Sequence, residues 1–177
     1  LQGLERDTLD VMAHQGEGGT ISLAAVPTFA TRWLIPRLPQ LAKQHPDIVV
    51  HIETQTRPFL FADTTFDAAL YAGTADQVAH WPGVQAQLLM HEEVVPVCSP
   101  RLLESAAPRG RGRAHQPVSP RSLASLPLLQ QSTRPYAWRQ WFDAMEVDAP
   151  RALDGPRYEL FSMLAVAATH GMGVALM

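Results

Sequence analysis

The sequence predicts an α/β fold with mainly parallel sheets. Three observations carry that expectation. Between Gly19 and Pro46 the hydrophobic period changes, within a few residues, from that of a strand to that of a helix. Strand-like and helix-like segments then alternate, which implies parallel strands joined by right-handed crossovers. With 177 residues, 46% of them apolar, the chain is long enough for one domain or two small lobes and apolar enough for a sizeable core.

Leu4, Leu9, Val11 and Met12 lie among Glu5, Arg6, Asp7 and Asp10, a pattern that predicts a short amphipathic helix, broken at residues 16–19 (GEGG). In Thr20 to Val26, Ile21, Leu23 and Ala25 fall on one side and Ser22, Ala24 and Val26 on the other, which predicts a mostly buried strand ended by Pro27. Thr28 stands where a helix N-cap belongs, and Phe29, Trp33, Leu34, Leu38 and Leu41 recur at helical spacing as far as His45-Pro46. Pro36 and Pro39 should kink or tighten that helix, since each lacks an N–H and restricts the residue before it. A helix opening straight after a strand presents unpaired N–H groups that suit a carboxylate or phosphate; the plainer reading is that Thr28 only caps the helix.

Ile48 to Thr54 predicts the next strand, Gln55 to Pro58 a loop, Phe59 to Asp63 a short helical stretch and Ala68 to Tyr71 another strand. Open parallel sheets bind ligands beyond the carboxyl ends of their strands, where Thr28, residues 54–57 and residues 72–74 should gather. Thr54 and Thr56 would point the same way if the strand continued, so at most one of Thr54 and Gln55 would face inward. Arg57 is the best partner there for a carboxylate, because its planar fork donates in two places; the alternative is a surface arginine before Pro58.

Val94 to Val97 predicts a further strand, followed by a helix starting near Arg101 to Glu104. Residues 106–120, rich in Pro, Gly and Arg, predict a solvated surface loop carrying Arg109, Arg111 and Arg113. Beyond it the pattern gives a strand at Leu128 to Gln131 and a helix at Tyr136 to Met145 whose Trp138, Trp141, Phe142 and Met145 form a core-facing stripe. A last helix capped by Ser162 and ended by a left-handed Gly171 should lead into a short buried strand at Gly173 to Met177.

A net charge of −3 supplies no basic face for a phosphate backbone, so these residues alone are not expected to bind DNA. One cysteine, Cys98, excludes an internal disulfide framework, and without a cleavable signal pattern or an apolar run of about 20 residues the natural reading is cytoplasmic. The seven histidines lack metal-ligand spacing, and no phosphate loop, nucleophile elbow or dinucleotide fingerprint occurs. Cys98, at the end of an apolar strand, reads as a small buried hydrophobe rather than a nucleophile. No catalytic residue, metal or cofactor is expected.

The stretch GTISLAAVPTFATRWLIPRLPQLAKQHPDIVVHIET, followed in order by FDAALYAGTADQVAHWPGV, EEVVPVCSPRLL, YAWRQWF and FSMLAVAATHGMGVALM, resembles the regulatory domain of LysR-type transcriptional regulators. Within that family the resemblance is to the branch of glycine-cleavage and β-lactamase activators, and it covers nearly the whole chain. It implies a two-lobed periplasmic-binding-protein-like (type 2) fold: residues 1–17 as the end of a linker helix, 18–95 as the first lobe and 96–177 as a second lobe lacking its C-terminal return segment. It also implies a small-molecule effector held by Thr28, Phe29, Thr54, Thr56, Arg57 and Gly73 of the first lobe and Gln131, Thr133, Tyr158 and Phe161 of the second. Assembly as a homodimer or homotetramer, contact with DNA only through an N-terminal domain outside this chain, and no contact with membrane are further expectations. The lobed architecture is shared with extracytoplasmic solute-binding proteins of transporters, which form the alternative reading.

Overall fold

Alternating small and branched residues from Gly19 onward form β1 (Gly19–Ala25), and the chain then turns directly into helix at Pro27. The computed structural model describes residues 19–106 and 118–177, so the expected linker helix before GEGG and Arg109, Arg111 and Arg113 lie outside the described residues. The chain divides into two compact units, the first ending at Leu89 and the second beginning at Met90. Val95 falls in the second unit because it exchanges both backbone hydrogen bonds with Met177, at 2.8 and 2.9 Å.

In the first unit the helix begins as α1 (Pro27–Phe29), two residues earlier than expected. Val26, not Thr28, occupies the cap position, with no side-chain capping bond. The reason is Pro27: its fixed φ suits the first helical position, and its missing N–H removes a donor that would have been orphaned there. Helical backbone then continues as a π segment at Ala30–Leu34, a 3-10 segment at Ile35–Arg37 and α2 (Leu38–Gln44). Pro36 lies in the 3-10 segment and Pro39 in the first turn of α2, and neither can donate to the ladder. Phe29 stacks on Trp33 with centroids 4.8 Å apart, and the Arg37 guanidinium lies 4.4 Å from the Trp33 ring centroid.

β2 (Ile48–Thr54) follows, then a 3-10 turn at Phe61–Asp63, β3 (Ala68–Leu70) and α3 (Ala75–Ala79). The sheet order is β2-β1-β3, all parallel, as strands joined by helical crossovers require. Its centre is built from small side chains: Ser22, Ala24 and Ala25 are buried, and Ala30 packs under the helix start. Five aromatic rings, Phe59, Phe61, Phe66, Tyr71 and Trp81, pack edge-to-face or tilted beside the sheet, with the Trp81 indole N–H donating to the Phe59 carbonyl at 2.5 Å.

The second unit contains β4 (Pro96–Val97), α4 (Pro100–Ala106), α5 (Pro120–Leu123), β5 (Gln130–Gln131), α6 (Ala137–Ala144), β6 (Arg157–Tyr158), α7 (Phe161–Thr169) and β7 (Ala175–Leu176). β5 and β6 are parallel, β4 and β7 antiparallel, and a parallel bridge joins Leu128 to Val174. The expected strands are therefore present but shorter, since only part of each apolar run finds a partner. Trp138 and Phe142 are almost fully buried with Leu123, Leu128, Ala152, Val174 and Leu176, each large ring contributing about 1.5–3 kcal/mol by leaving water. Met145, expected in the same stripe, is exposed, because α6 ends at Ala144 and Glu146 turns the chain away with φ 55°. Leu160 rather than Ser162 caps α7, which starts at Phe161. Gly171 ends that segment at φ 75°, the left-handed conformation expected of it.

Candidate functional site

The register of the first sheet sets three strand ends level. Ala25 is paired with Thr54 on one side and with Leu70 on the other, so the chain leaves β1, β2 and β3 at the same height. Two further bonds sew these exits together: the Val26 N–H donates to the Leu70 carbonyl at 3.2 Å and the Gln55 N–H to the Ala25 carbonyl at 3.0 Å. Residues 26–28, 55–57 and 71–73 thus leave one edge of the sheet side by side.

Within this group Thr28 and Phe29 are half-buried in the first helical turn. β2 stops at Thr54, which is exposed, so the strand alternation argued for residues 54–56 ends there, and Gln55 and Thr56 are both half-buried. Arg57 is exposed and makes no ion pair among the described residues. Gly73 is exposed, and the position suits glycine because a Cβ there would stand 2.8 Å from Cε1 of Tyr71 and 3.1 Å from Oε1 of Gln77. Gln77 is held by a feature the sequence reading overlooked. Thr74 caps α3, its hydroxyl accepting from the Gln77 N–H at 3.2 Å while the Gln77 side chain accepts from the Thr74 N–H at 2.9 Å. The Thr-x-x-Gln spacing was the available signal for this reciprocal cap.

In the second unit the parallel pair β5 and β6 ends at Gln131 opposite Tyr158, and the Ser132 N–H donates to the Tyr158 carbonyl at 2.8 Å. The turn after β5 carries Thr133, half-buried, and the segment after β6 leads to Phe161. Gln131 and Phe161 share a small cavity of about 20 Å³ with Val94, Arg134 and Trp138. Tyr158 lies apart from it, lining a shallow groove of about 480 Å³ with Met163, His170 and Met172, and its hydroxyl is 3.9 Å from the Met172 sulfur. Arg134 was not anticipated, although Arg134-Pro135 after a strand repeats the pattern of Arg57-Pro58.

Gln130 underpins this turn. It is 2% exposed, and its amide N–H groups reach the carbonyls of Asp154 at 2.8 Å and Ala152 at 3.1 Å, fixing β5 to the 152–155 turn. Cys98 is half-buried against the large core cluster, and burial pushes its thiol above the ordinary value, so the thiolate a nucleophile needs is disfavoured. Among the described residues no three His, Cys, Asp or Glu side chains stand together to hold a metal ion. No described helix is long and apolar enough to cross a membrane.

Strand-end loops carry the expected polar residues in each of the two α/β units, and comparison with known proteins gives the lineage. The family described as the LysR substrate binding domain matches residues 14–177. The chain belongs to that family. It is 30% identical over 158 residues to the glycine cleavage system transcriptional activator of Escherichia coli strain K12, a match covering 89% of this chain and 48% of that protein. It is also 30% identical over 169 residues to the HTH-type transcriptional activator AmpR of Rhodobacter capsulatus, covering 96% of this chain and 53% of that protein.

Among solved structures, the effector domain of the transcriptional regulator AmpR of Pseudomonas aeruginosa superposes with a TM-score of 0.70 at 29% identity, covering 89% of this chain and 69% of that one. The AmpR effector binding domain of Citrobacter freundii gives a TM-score of 0.70 at 25% identity, covering 89% and 71%. This LysR effector-binding domain therefore has the periplasmic-binding-protein-like α/β fold, and it spans about half the length of the regulators it matches. Its relatives are transcriptional regulators rather than enzymes, which favours the regulator over a transporter's solute-binding protein.

Proposed function

We propose that this chain is the effector-sensing portion of a DNA-binding transcriptional regulator and works by binding a small, anionic molecule without chemical conversion. The observation that carries the reading is the alignment of three parallel strand ends at Ala25, Thr54 and Leu70, from which Thr28, Thr56 and Arg57 follow directly. In an open parallel sheet this edge is where ligands are bound. Arg57 supplies a two-pronged cation and Thr28 a hydroxyl, enough to orient a carboxylate while Phe29 gives apolar contact.

Contact with DNA belongs, in this reading, to a domain outside this chain, and the regulator acts in the cytoplasm as a homodimer or homotetramer. An effector can shift an equilibrium between two arrangements of the units only by its difference in affinity for them. We accordingly assign Gln131, Thr133, Tyr158 and Phe161 to effector contact as well, with Gly73 shaping its loop.

Calorimetric titration with a panel of amino acids and small organic acids tests the proposal. Thr28→Ala and Arg57→Ala should each weaken the response by about 1–3 kcal/mol, the size of a hydrogen bond lost to a charged group. A ligand that binds both variants as tightly as the parent chain shows that the strand-end site is wrongly placed.

A further inference from the structure

The turn after β5 presents a guanidinium with unused capacity. Arg134 is fixed through its main chain at both ends, its N–H donating to the Gln131 carbonyl and its carbonyl accepting from the Ala137 N–H, each at 3.1 Å. The side chain is 25% exposed, lies 5.1 Å from the centroid of Phe161 and donates through Nη1 to the Glu92 carboxylate. Nε and Nη2 make no hydrogen bond to a described residue. The cavity of about 20 Å³ beside it is bordered by Gln131 and Phe161, and it is large enough for a water molecule or a carboxylate oxygen but not for the body of a ligand.

Arg134 is therefore a cation held in place by an aromatic face and a rigid turn, with most of its planar fork open. Its present partner is weakly committed: Glu92 is 50% exposed, and an exposed carboxylate returns to water at little cost. A bidentate carboxylate makes two parallel charge-assisted bonds where Glu92 makes one.

We propose that Arg134 receives a carboxylate of the effector, which displaces Glu92 and so frees the segment just before Val94 and Val95 from the β5 turn. Glu92 is then a built-in competitor that sets the effector threshold. The proposal rests on the effector-domain reading above and adds to it the ligand class and a second anion-binding residue.

The test uses three carboxylates, acetate, glycine and succinate, each against its amide, acetamide, glycinamide and succinamide, with thermal unfolding and tryptophan fluorescence as readouts. At least one carboxylate should bind and its amide should not. Arg134→Gln should weaken that binding by about 10-fold or more, and Arg134→Lys should restore only part, since a point charge lacks the fork. Glu92→Gln, a conservative change at an exposed position, should strengthen binding by about 3-fold or more by removing the competing charge. The Glu92 variant keeps the test decisive if Arg134→Gln unfolds.

The assignment falls if no carboxylate of the three binds the parent chain, if Arg134→Gln binds as tightly as the parent, or if Glu92→Gln leaves affinity unchanged or lowers it. A response abolished by Thr28→Ala but kept in Arg134→Gln overturns the role of Arg134 while leaving the effector-domain reading intact. Loss of response in neither variant overturns both.

Discussion

Gln130 offers a direct measurement of what supports the second unit's strand-end turn. Its amide is buried, with the side chain 2% exposed, and donates to the Ala152 and Asp154 carbonyls at 3.1 and 2.8 Å. Gln130→Met keeps the length of the side chain and deletes both donors. Ala152 is 1% exposed, so its carbonyl would lose its partner with no water to replace it, whereas Asp154 is exposed and regains a water. At about 1–3 kcal/mol for a fully stranded buried acceptor, and less for the accessible one, the total is about 2–4 kcal/mol. For an unfolding slope of about 2 kcal/mol/M this lowers the urea midpoint by about 1–2 M.

Urea unfolding followed by tryptophan fluorescence reads the change directly, since Trp138 and Trp141 lie in this unit. A midpoint within about 0.3 M of the parent refutes the reasoning, because the two carbonyls would then not depend on Gln130. Gln130→Glu sharpens the test. Burial and the facing carbonyl oxygens disfavour the ionised form, raising the folded-state pKa above the unfolded value of about 4.3. Relative to the parent, this variant should hold its stability best below the unfolded pKa, where the carboxylic acid can still donate one bond. It should lose that stability as pH rises through the folded pKa.

Two glycines of positive φ should respond differently to alanine. Gly155, at φ 121°, would place a Cβ 2.1 Å from the Leu128 carbonyl oxygen, so Gly155→Ala should cost at least about 2 kcal/mol in denaturant melts, whereas Gly83, at φ 70° with nothing within 4 Å, should cost about 1 kcal/mol. Equal costs would mean that steric approach does not matter at residue 155. Thr74→Ala removes the reciprocal cap of a five-residue helix and should cost about 1 kcal/mol, measured by thermal melting of the variant against the parent. Cys98 should react with iodoacetamide at pH 8 more slowly than free cysteine and speed up only at higher pH, because burial raises its thiol above the ordinary value. A rate matching or exceeding that of free cysteine would contradict the packed environment, and Cys98→Ala is expected to leave effector binding untouched.

Local pattern was enough for much of this architecture because its signals are short in range. Alternation from Thr20 to Val26 and β-branched content from Ile48 to Thr54 gave β1 and β2 nearly to the residue, and the Trp138 and Phe142 spacing gave the buried face of α6. Capping was harder. Thr28 and Ser162 have the chemistry of N-caps, yet each stands one residue inside its helix, since Pro27 can start the first one and Leu160 already has extended backbone before the second. Met145 fits the periodicity of α6 but the helix stops before it, so period alone overestimated the core.

By itself the sequence determined the element types, the parallel α/β class, the absence of a metal or nucleophile motif and the lineage, because hydrophobic period, turn residues and motif spacing are properties of neighbouring positions. Only the tertiary structure decided the register that sets Ala25, Thr54 and Leu70 level, and the meeting of Arg134 with Phe161 and with Glu92, the latter 42 positions away. Those pairings depend on how separated segments pack, and a contact between distant residues leaves no periodic trace along a single chain.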